Sequence, residues 1–264
     1  MPMKPDVTQE VQPLARWMRD SKNMVVFTGA GISTESGIPD FRSPGGIWER
    51  FDPEEMTYQK FLSSSKSRRM YWELYYECWQ TFQKVEPNRA HAALATLEKR
   101  YQKIRAVITQ NIDGLHQKAG SDPEKVLELH GNMWGVTCLQ CGYSYPWQEI
   151  FSLLERKVTP PGCAECGGLI KPATISFGQA LPEDAISRAQ LHSVQADVFV
   201  TIGTSLMVHP AAMLPELAKQ GGAKLVIINR DPTPLDGRAD LVLRYNAGDT
   251  MSAVLEQLER RTAQ

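Results

Sequence analysis

Short apolar runs, each cut off by glycine or a polar residue, alternate along this chain with stretches of helical spacing, which leaves few architectures open. Met24-Val25-Val26-Phe27, Ala106-Val107-Ile108-Thr109, Val198-Phe199-Val200-Thr201-Ile202 and Leu225-Val226-Ile227-Ile228 read as buried strands, with Leu241-Val242-Leu243 as a fifth. Helical patterns at 90–100, 182–194 and 211–220 lie between them. Strands alternating with helices predict an α/β fold, a parallel sheet covered on both faces. Ligands in such sheets bind beyond the carboxyl ends of the strands. The residues following Phe27, Thr109, Ile202 and Ile228 are therefore where a site is expected.

Two segments break the alternation. Residues 45 to about 90 carry aromatic residues at helical spacing, among them Trp72, Tyr75, Tyr76 and Trp79, a pattern that reads as packing surface. Residues 133 to about 172 are rich in Cys, Gly and Pro and weak in periodicity. Both are expected to be insertions that pack outside the sheet as a smaller lobe. At 264 residues the chain can bury roughly three quarters of its unfolded surface, enough for a large domain with such an attachment. Its 29 Lys+Arg against 30 Asp+Glu give a formal net charge of −1, which argues against electrostatic capture of nucleic acid or of an anionic membrane. No run approaches the roughly 18 apolar residues of a membrane helix. The segment 1–10 lacks the apolar stretch of a secretory signal, so the cytoplasm is the expected compartment.

Cys138-Leu139-Gln140-Cys141 and Cys163-Ala164-Glu165-Cys166 are two C-x-x-C pairs, with Gly142 after the first and Gly167-Gly168 after the second. The glycines let the chain bend so that both thiolates of a pair face one point. Four thiolates suit tetrahedral zinc and leave no open position, so the metal is expected to be structural. Two disulfides, a redox pair, or a nucleic-acid-binding zinc ribbon share the spacing. A reducing compartment disfavours the first two. The few cations of 133–172 (Arg156, Lys157 and Lys171), offset by Glu149, Glu155 and Glu165, disfavour the ribbon. Cys78 is left over and reads as a reduced core cysteine.

After the first strand stands Thr28-Gly29-Ala30-Gly31-Ile32-Ser33-Thr34, which matches two of the three glycines of a dinucleotide fingerprint. Position 34 is Thr where the third glycine would be, which weakens a plain dehydrogenase reading. Gly37-Ile38-Pro39-Asp40-Phe41-Arg42 follows, a loop whose Arg42 could meet phosphate and whose Phe41 could shield a reactive carbon. The second strand runs into Gln110-Asn111-Ile112-Asp113-Gly114-Leu115-His116, side chains suited to ribose hydroxyls and a carboxamide. Leu129-His130-Gly131 precedes the cysteine segment and places His130 at the junction of two lobes, where it could act as a general base. Gly203-Thr204-Ser205 and Asn229-Arg230 mark the later strand ends.

Together these motifs, with both cysteine pairs, Phe177-Gly178, the run Gly203-Thr204-Ser205-Leu206 with Val208 and Pro210, and Ile228-Asn229, resemble the sirtuin family of NAD-dependent protein deacylases over about residues 24–230. The resemblance implies a Rossmann-like domain formed by 1–44, 93–132 and 173–264, and a small lobe made of a helical module (45–92) and a four-cysteine zinc module (133–172). It implies NAD as co-substrate, one structural zinc on Cys138, Cys141, Cys163 and Cys166, and acetylated protein or peptide lysines as substrates of a chain expected to act as a monomer. Acetyl oxygen would attack C1′ of the nicotinamide ribose and expel nicotinamide. His130 would then act as base on the ribose hydroxyls, giving free lysine and O-acetyl-ADP-ribose. Asn111 matches the residue ordering the ribose and a water, Ile112 and Asp113 the carboxamide pocket, and Gln110 a ribose contact. Gly29, Ala30, Gly31, Ser33, Asp40, Phe41, Arg42, Gly203, Thr204, Ser205 and Asn229 match NAD contacts, with Asp249 a further expected contact near the C-terminus. Ile175, Ser176, Phe177 and Gly178 on one side, and Leu206 and Val208 on the other, resemble two edges between which a peptide adds as a strand.

Two departures from the family pattern stand out. Gln179 replaces a common acid after Phe177-Gly178. Members that prefer succinyl-lysine carry Tyr and, three residues on, Arg; here Tyr75 is followed by Cys78, which cannot pair with a carboxylate. Uncharged acyl groups are therefore expected to be preferred. Mono-ADP-ribosyl transfer or NAD hydrolysis on the same scaffold, or a non-enzymatic zinc-ribbon protein, are the alternatives.

Overall fold

The computed structural model describes residues 7–41 and 44–262. In chain order its helices are α1 (Val7–Glu10), α2 (Gln12–Asp20), α3 (Tyr58–Ser63), α4 (Ser65–Phe82), α5 (Arg89–Lys99), α6 (Leu115–Lys118), α7 (Trp147–Glu155), α8 (Glu183–Gln195), α9 (Leu214–Gln220) and α10 (Ala247–Thr262). The strands are β1 (Met24–Thr28), β2 (Ile104–Thr109), β3 (Val126–Glu128), β4 (Gly131–Cys138), β5 (Ser144–Pro146), β6 (Ile170–Thr174), β7 (Val198–Ile202), β8 (Lys224–Ile228) and β9 (Leu241–Leu243).

Six strands form one parallel sheet in the order β3-β2-β1-β7-β8-β9. The winding reverses between β1 and β7, and counting only the strands of this sheet gives the 3-2-1-4-5-6 order of dinucleotide-binding folds. All five expected strands belong to it. Alternation along each strand sends side chains to two faces. Val26, Val107, Val200 and Val226 meet Leu14 and Met18 of α2, Leu94 and Leu97 of α5, and Met251 and Val254 of α10. Val25, Phe27, Ile108, Phe199 and Ile227 meet Ala189 of α8 and Leu214 and Ala218 of α9 on the other face. Neither face is left to solvent, which is what continuous apolar runs demand.

The small lobe departs from this pattern. β5-β4-β6 form an antiparallel sheet. Trp72 and Trp79 of α4 pack on it through Trp147, with Trp72 and Trp147 stacked at 5.9 Å. The expected segment boundaries pass through elements: α5 spans 92/93 and β6 spans 172/173. β4 begins immediately after His130, and β6 ends immediately before Ile175.

Beneath the carboxyl end of β1, two buried imidazoles meet edge to face at 5.0 Å, His91 of α5 and His116 of α6. His116 Nε2 lies 2.9 Å from the Thr28 hydroxyl, while His91 Nε2 and His116 Nδ1 have no partner among the described residues. Burial lowers the pKa of His91 to about 4; burial, with His91 adding, lowers that of His116 to about 3. The unfolded chain takes up these protons near the ordinary value of 6.5, so stability is lost as pH falls from there toward 4, by about 3 kcal/mol from His91 alone. The urea midpoint should drop between pH 7 and pH 5, above the range in which ordinary carboxylates titrate, and the drop should shrink in His91→Gln. A flat profile over that interval would contradict the buried pair.

Candidate functional site

At the switch point, the turn after β1 and the turn after β7 touch backbone to backbone. Gly31 N–H donates to the Gly203 carbonyl at 2.8 Å, and Gly29 N–H to that of Ile202 at 3.1 Å. A Cβ on Gly31 would stand 2.7 Å from Gly203 Cα, and one on Gly203, whose φ is +63°, would stand 2.3 Å from Ile32 N. The glycines thus serve the approach of two loops to each other as well as any approach to a ligand. Together the loops open the rim of a cleft of about 490 Å³ between sheet and small lobe.

From the first turn the cleft takes Gly29, Ala30, Gly31, Ser33, Asp40 and Phe41; Arg42 lies outside the described residues. From the end of β2 it takes Gln110, Asn111, Ile112 and Asp113. These side chains are already engaged with one another. Ser33 Oγ donates to Asp113 at 2.7 Å, Leu115 N–H donates to the same carboxylate, and Asn111 Nδ2 donates to the Gly29 carbonyl and to Ser33 Oγ. Gln110 Nε2 donates to Thr204 Oγ1 at 2.8 Å, tying the loops after β2 and β7, the two neighbours of β1, to each other. Burial raises the pKa of Asp113 against the bonds from Leu115 and Ser33.

His130 follows β3 and lines the cleft. Its Nδ1 lies 3.0 Å from the carbonyl of Gln110. A carbonyl only accepts, so Nδ1 carries the proton and Nε2 is left as the basic nitrogen. Burial lowers the imidazole pKa against the effect of that bond, keeping the ring neutral near pH 7. The His130 carbonyl accepts from Ile175 N–H at 2.8 Å, so the histidine and the strand-like edge Ile175, Ser176, Phe177 and Gly178 are one hydrogen-bonded unit. That edge lines the cleft, faced by Thr204, Ser205, Met207 and Val208, with Gly203 and Asn229 farther along.

Two expected residues lie elsewhere. Leu206 is buried at φ +55° in the sheet core with Phe27 and Phe199, so its side chain is absent from the lining, where the expected Val208 stands beside Met207. Asp249 is not part of the lining: its carboxylate accepts from Arg89 at 2.7 Å, and Tyr245, Asn246 and Ala247 form that wall. The first turn's Glu35 holds this wall in place by accepting from Gly248 N–H at 2.7 Å. The helical segment contributes more than packing. Met56, Tyr71, Leu74, Tyr75, Cys78 and Phe82 line the cleft's inner side. The four-residue recurrence of Tyr71 and Tyr75 along α4 is the signal that could have found this face.

The four sulfurs of Cys138, Cys141, Cys163 and Cys166 lie within 4.8 Å of one another. Sulfurs about 2.3 Å from a shared centre in tetrahedral array stand about 3.8 Å apart. Cys138 to Cys166 is 3.6 Å and Cys141 to Cys163 is 3.7 Å, distances that fit a metal and not an S–S bond. Gln140 and Cys141 N–H groups point at Cys138 Sγ, and the Tyr145 hydroxyl, itself accepting from Ala164 N–H, lies 3.0 Å from Cys163 Sγ. Such donors stabilise thiolate ligands. The donor set fits one structural zinc, with no position left for substrate.

A doubly wound sheet whose switch point opens into a cleft beside a lobe that carries four clustered cysteines defines the class of the nucleotide-binding α/β proteins. The chain belongs to the Sir2 family: residues 29–210 match that family's model. It is 45% identical over 242 residues to an NAD-dependent protein deacetylase of Thermodesulfovibrio yellowstonii, covering 92% of this chain and 93% of that protein. It is 42% identical over 248 residues to an NAD-dependent protein deacylase of Aquifex aeolicus, covering 92% and 98%. A structure of Sir2 with a p53 peptide and NAD+ superposes with a TM-score of 0.85 at 37% identity, covering 94% of this chain and 98% of that one.

Proposed function

We propose that this chain is an NAD-dependent protein-lysine deacetylase in which His130 is the base. The observation that carries the assignment is the placement of one neutral imidazole, its Nδ1 committed to the Gln110 carbonyl, in a cleft that also holds the glycine turns and the edge at 175–178. Bound NAD supplies a ribose carbon that loses nicotinamide and an ADP-ribose that accepts the acetyl group. Gly29, Ala30, Gly31, Thr204, Ser205 and Asn229 would hold the phosphates and ribose, and Ile112 with Asp113 the carboxamide. Asn111, its amide fixed by Gly29 and Ser33, would order the ribose and a water. Phe41 would exclude solvent. His130 Nε2 would take a proton from a ribose hydroxyl. Substrate backbone would pair with 175–178 and with Met207 and Val208, so recognition demands little of the peptide's sequence. The net charge of −1 supports protein rather than nucleic acid as the macromolecular substrate. Among the described residues no helix is long and apolar enough to cross a membrane. Four zinc-bound thiolates suit a reducing compartment such as the cytoplasm.

The inner wall decides the acyl group. Met56, Tyr71, Leu74, Tyr75, Cys78 and Phe82 include no cation, and burial pushes the Cys78 thiol up to about 12, so it stays neutral. A succinyl carboxylate there would be desolvated without a counter-ion in this wall, at a cost of a few kcal/mol. Mass spectrometry of acylated peptides incubated with and without NAD should show acetyl removed about 100-fold faster than succinyl, with product mass on ADP-ribose. Equal or faster succinyl removal would overturn the reading of the wall. Rapid nicotinamide release without peptide would favour NAD hydrolysis over deacetylation.

A further inference from the structure

Lys171 is 2% exposed, one of the largest fully buried side chains of the molecule, and has no carboxylate within ion-pair distance among the described residues. Burying an ammonium without a counter-ion is costly, and methionine or leucine would fill the same space without that cost. The charge is turned on the backbone. Lys171 Nζ donates to the carbonyl of Thr174 and, at 3.4 Å, to that of Pro172, and lies 5.2 Å from the centre of the Tyr71 ring. The Tyr71 hydroxyl in turn bonds Ser176 Oγ at 3.0 Å and Thr174 Oγ1 at 3.2 Å, while Thr174 Oγ1 donates to the Tyr75 hydroxyl at 2.7 Å. Two residues of this network, Thr174 and Ser176, bracket Ile175, whose N–H bonds the His130 carbonyl.

Building on the proposed function, we infer that Lys171 is a positioning residue: through the Thr174 carbonyl and the Tyr71 hydroxyl it fixes the peptide-adding edge 174–178 against His130. From the far side α3 holds the same edge, Tyr58 N–H donating to the Phe177 carbonyl at 2.9 Å and Gln59 Nε2 to that of Gly178 at 3.3 Å. A strand added between two edges gains affinity only if its hydrogen-bonding groups meet a row already in register. Lys171 sets that row and, being buried and absent from the cleft lining, touches neither NAD nor acyl group.

The test compares zinc-loaded wild type, Lys171→Met, Lys171→Arg and Tyr71→Phe on two substrates: a peptide with acetyl-lysine at its centre, and an Nε-acetyl-lysine amide without flanking residues. Lys171→Met should raise the peptide KM about tenfold, as misplacing one well-aligned main-chain bond does, with the KM for NAD and for the single-residue substrate within about twofold of wild type. Tyr71→Phe, which keeps the ring and deletes the hydroxyl, should shift the peptide KM in the same direction, and Lys171→Arg should restore most of it. The inference is overturned if Lys171→Met and Tyr71→Phe leave the peptide KM unchanged, or if both substrates weaken equally, as general loosening would cause. Should Lys171→Met fail to fold, Lys171→Gln, which keeps a donor but shortens its reach to the Thr174 carbonyl, takes its place under the same two criteria. A wild type inactive on both substrates would instead overturn the proposed function; the same ratios read as peptide affinities by fluorescence anisotropy would then decide the role of Lys171.

Discussion

His130→Ala is expected to lower peptide deacetylation by about 10²- to 10⁴-fold, the range lost with a positioned general base, while NAD binding and peptide-dependent exchange of labelled nicotinamide remain measurable. The partition follows from what the imidazole can reach. Expulsion of nicotinamide by the acyl oxygen asks nothing of a base, whereas moving the acetyl group onto a ribose oxygen requires that oxygen to lose a proton. The substitution spares the scaffold. The bond from Ile175 N–H goes to the main-chain carbonyl of residue 130, which alanine retains, and the Gln110 carbonyl that loses its partner stands at a cleft open to water. The same role fixes the pH dependence. The base must be neutral, and burial lowers its pKa, so the acidic limb of kcat/KM should have its midpoint below the ordinary 6.5 and disappear from the residual activity of the variant. Deacetylation within tenfold of wild type in a folded His130→Ala protein would remove the residue from the chemistry.

What could be read from the sequence follows the range of the forces involved. β1, β2, β7 and β8 announce themselves because each buries nearly every residue, and β9, with one buried residue of three, by its apolar run, so local composition suffices. β3 escapes, being three residues long and following Pro123 and Lys125; only pairing with β2 makes Val126–Glu128 a strand. The glycine turn suggested a backbone brought close to a phosphate, but the crowding at Gly29 and Gly31 comes from Gly203, some 170 positions away, which no local pattern reveals. Likewise the aromatic stripe of α4 has helical spacing whichever neighbours it meets. In the fold Trp72 and Trp79 face the antiparallel sheet while Tyr71, Tyr75 and Cys78 face the cleft, so the expectation of packing surface holds for part of the stripe. Leu206 and Asp249 stand outside the cleft lining for the same reason: a left-handed turn sends one side chain into the core, and Arg89, distant in sequence, captures the other.

Zinc removal should be as damaging as loss of the base, though the metal lies outside the cleft lining. A four-thiolate zinc site contributes on the order of 10–16 kcal/mol, as much as the whole net stability of roughly 5–15 kcal/mol of an ordinary domain. The tip it closes has little else to hold it, since Leu139 to Ser144 and Ala164 to Gly167 are exposed. The consequence reaches the site through two strands. β4 leaves directly from His130 and β6 runs directly into Ile175, so the sheet pinned by the cysteines sets the spacing between His130 and Ile175. Chelation, or Cys163→Ser, is therefore expected to release one zinc per chain, abolish deacetylation, and erase the near-ultraviolet signal of the packed pair Trp72 and Trp147. The parallel sheet, with its own two cores, should keep its far-ultraviolet signature. Full turnover in a metal-free sample, verified by elemental analysis, would show that packing of α4 against β4 and β6 suffices to hold His130 and Ile175 in place. It would also leave the 3.6 and 3.7 Å sulfur separations without a cause.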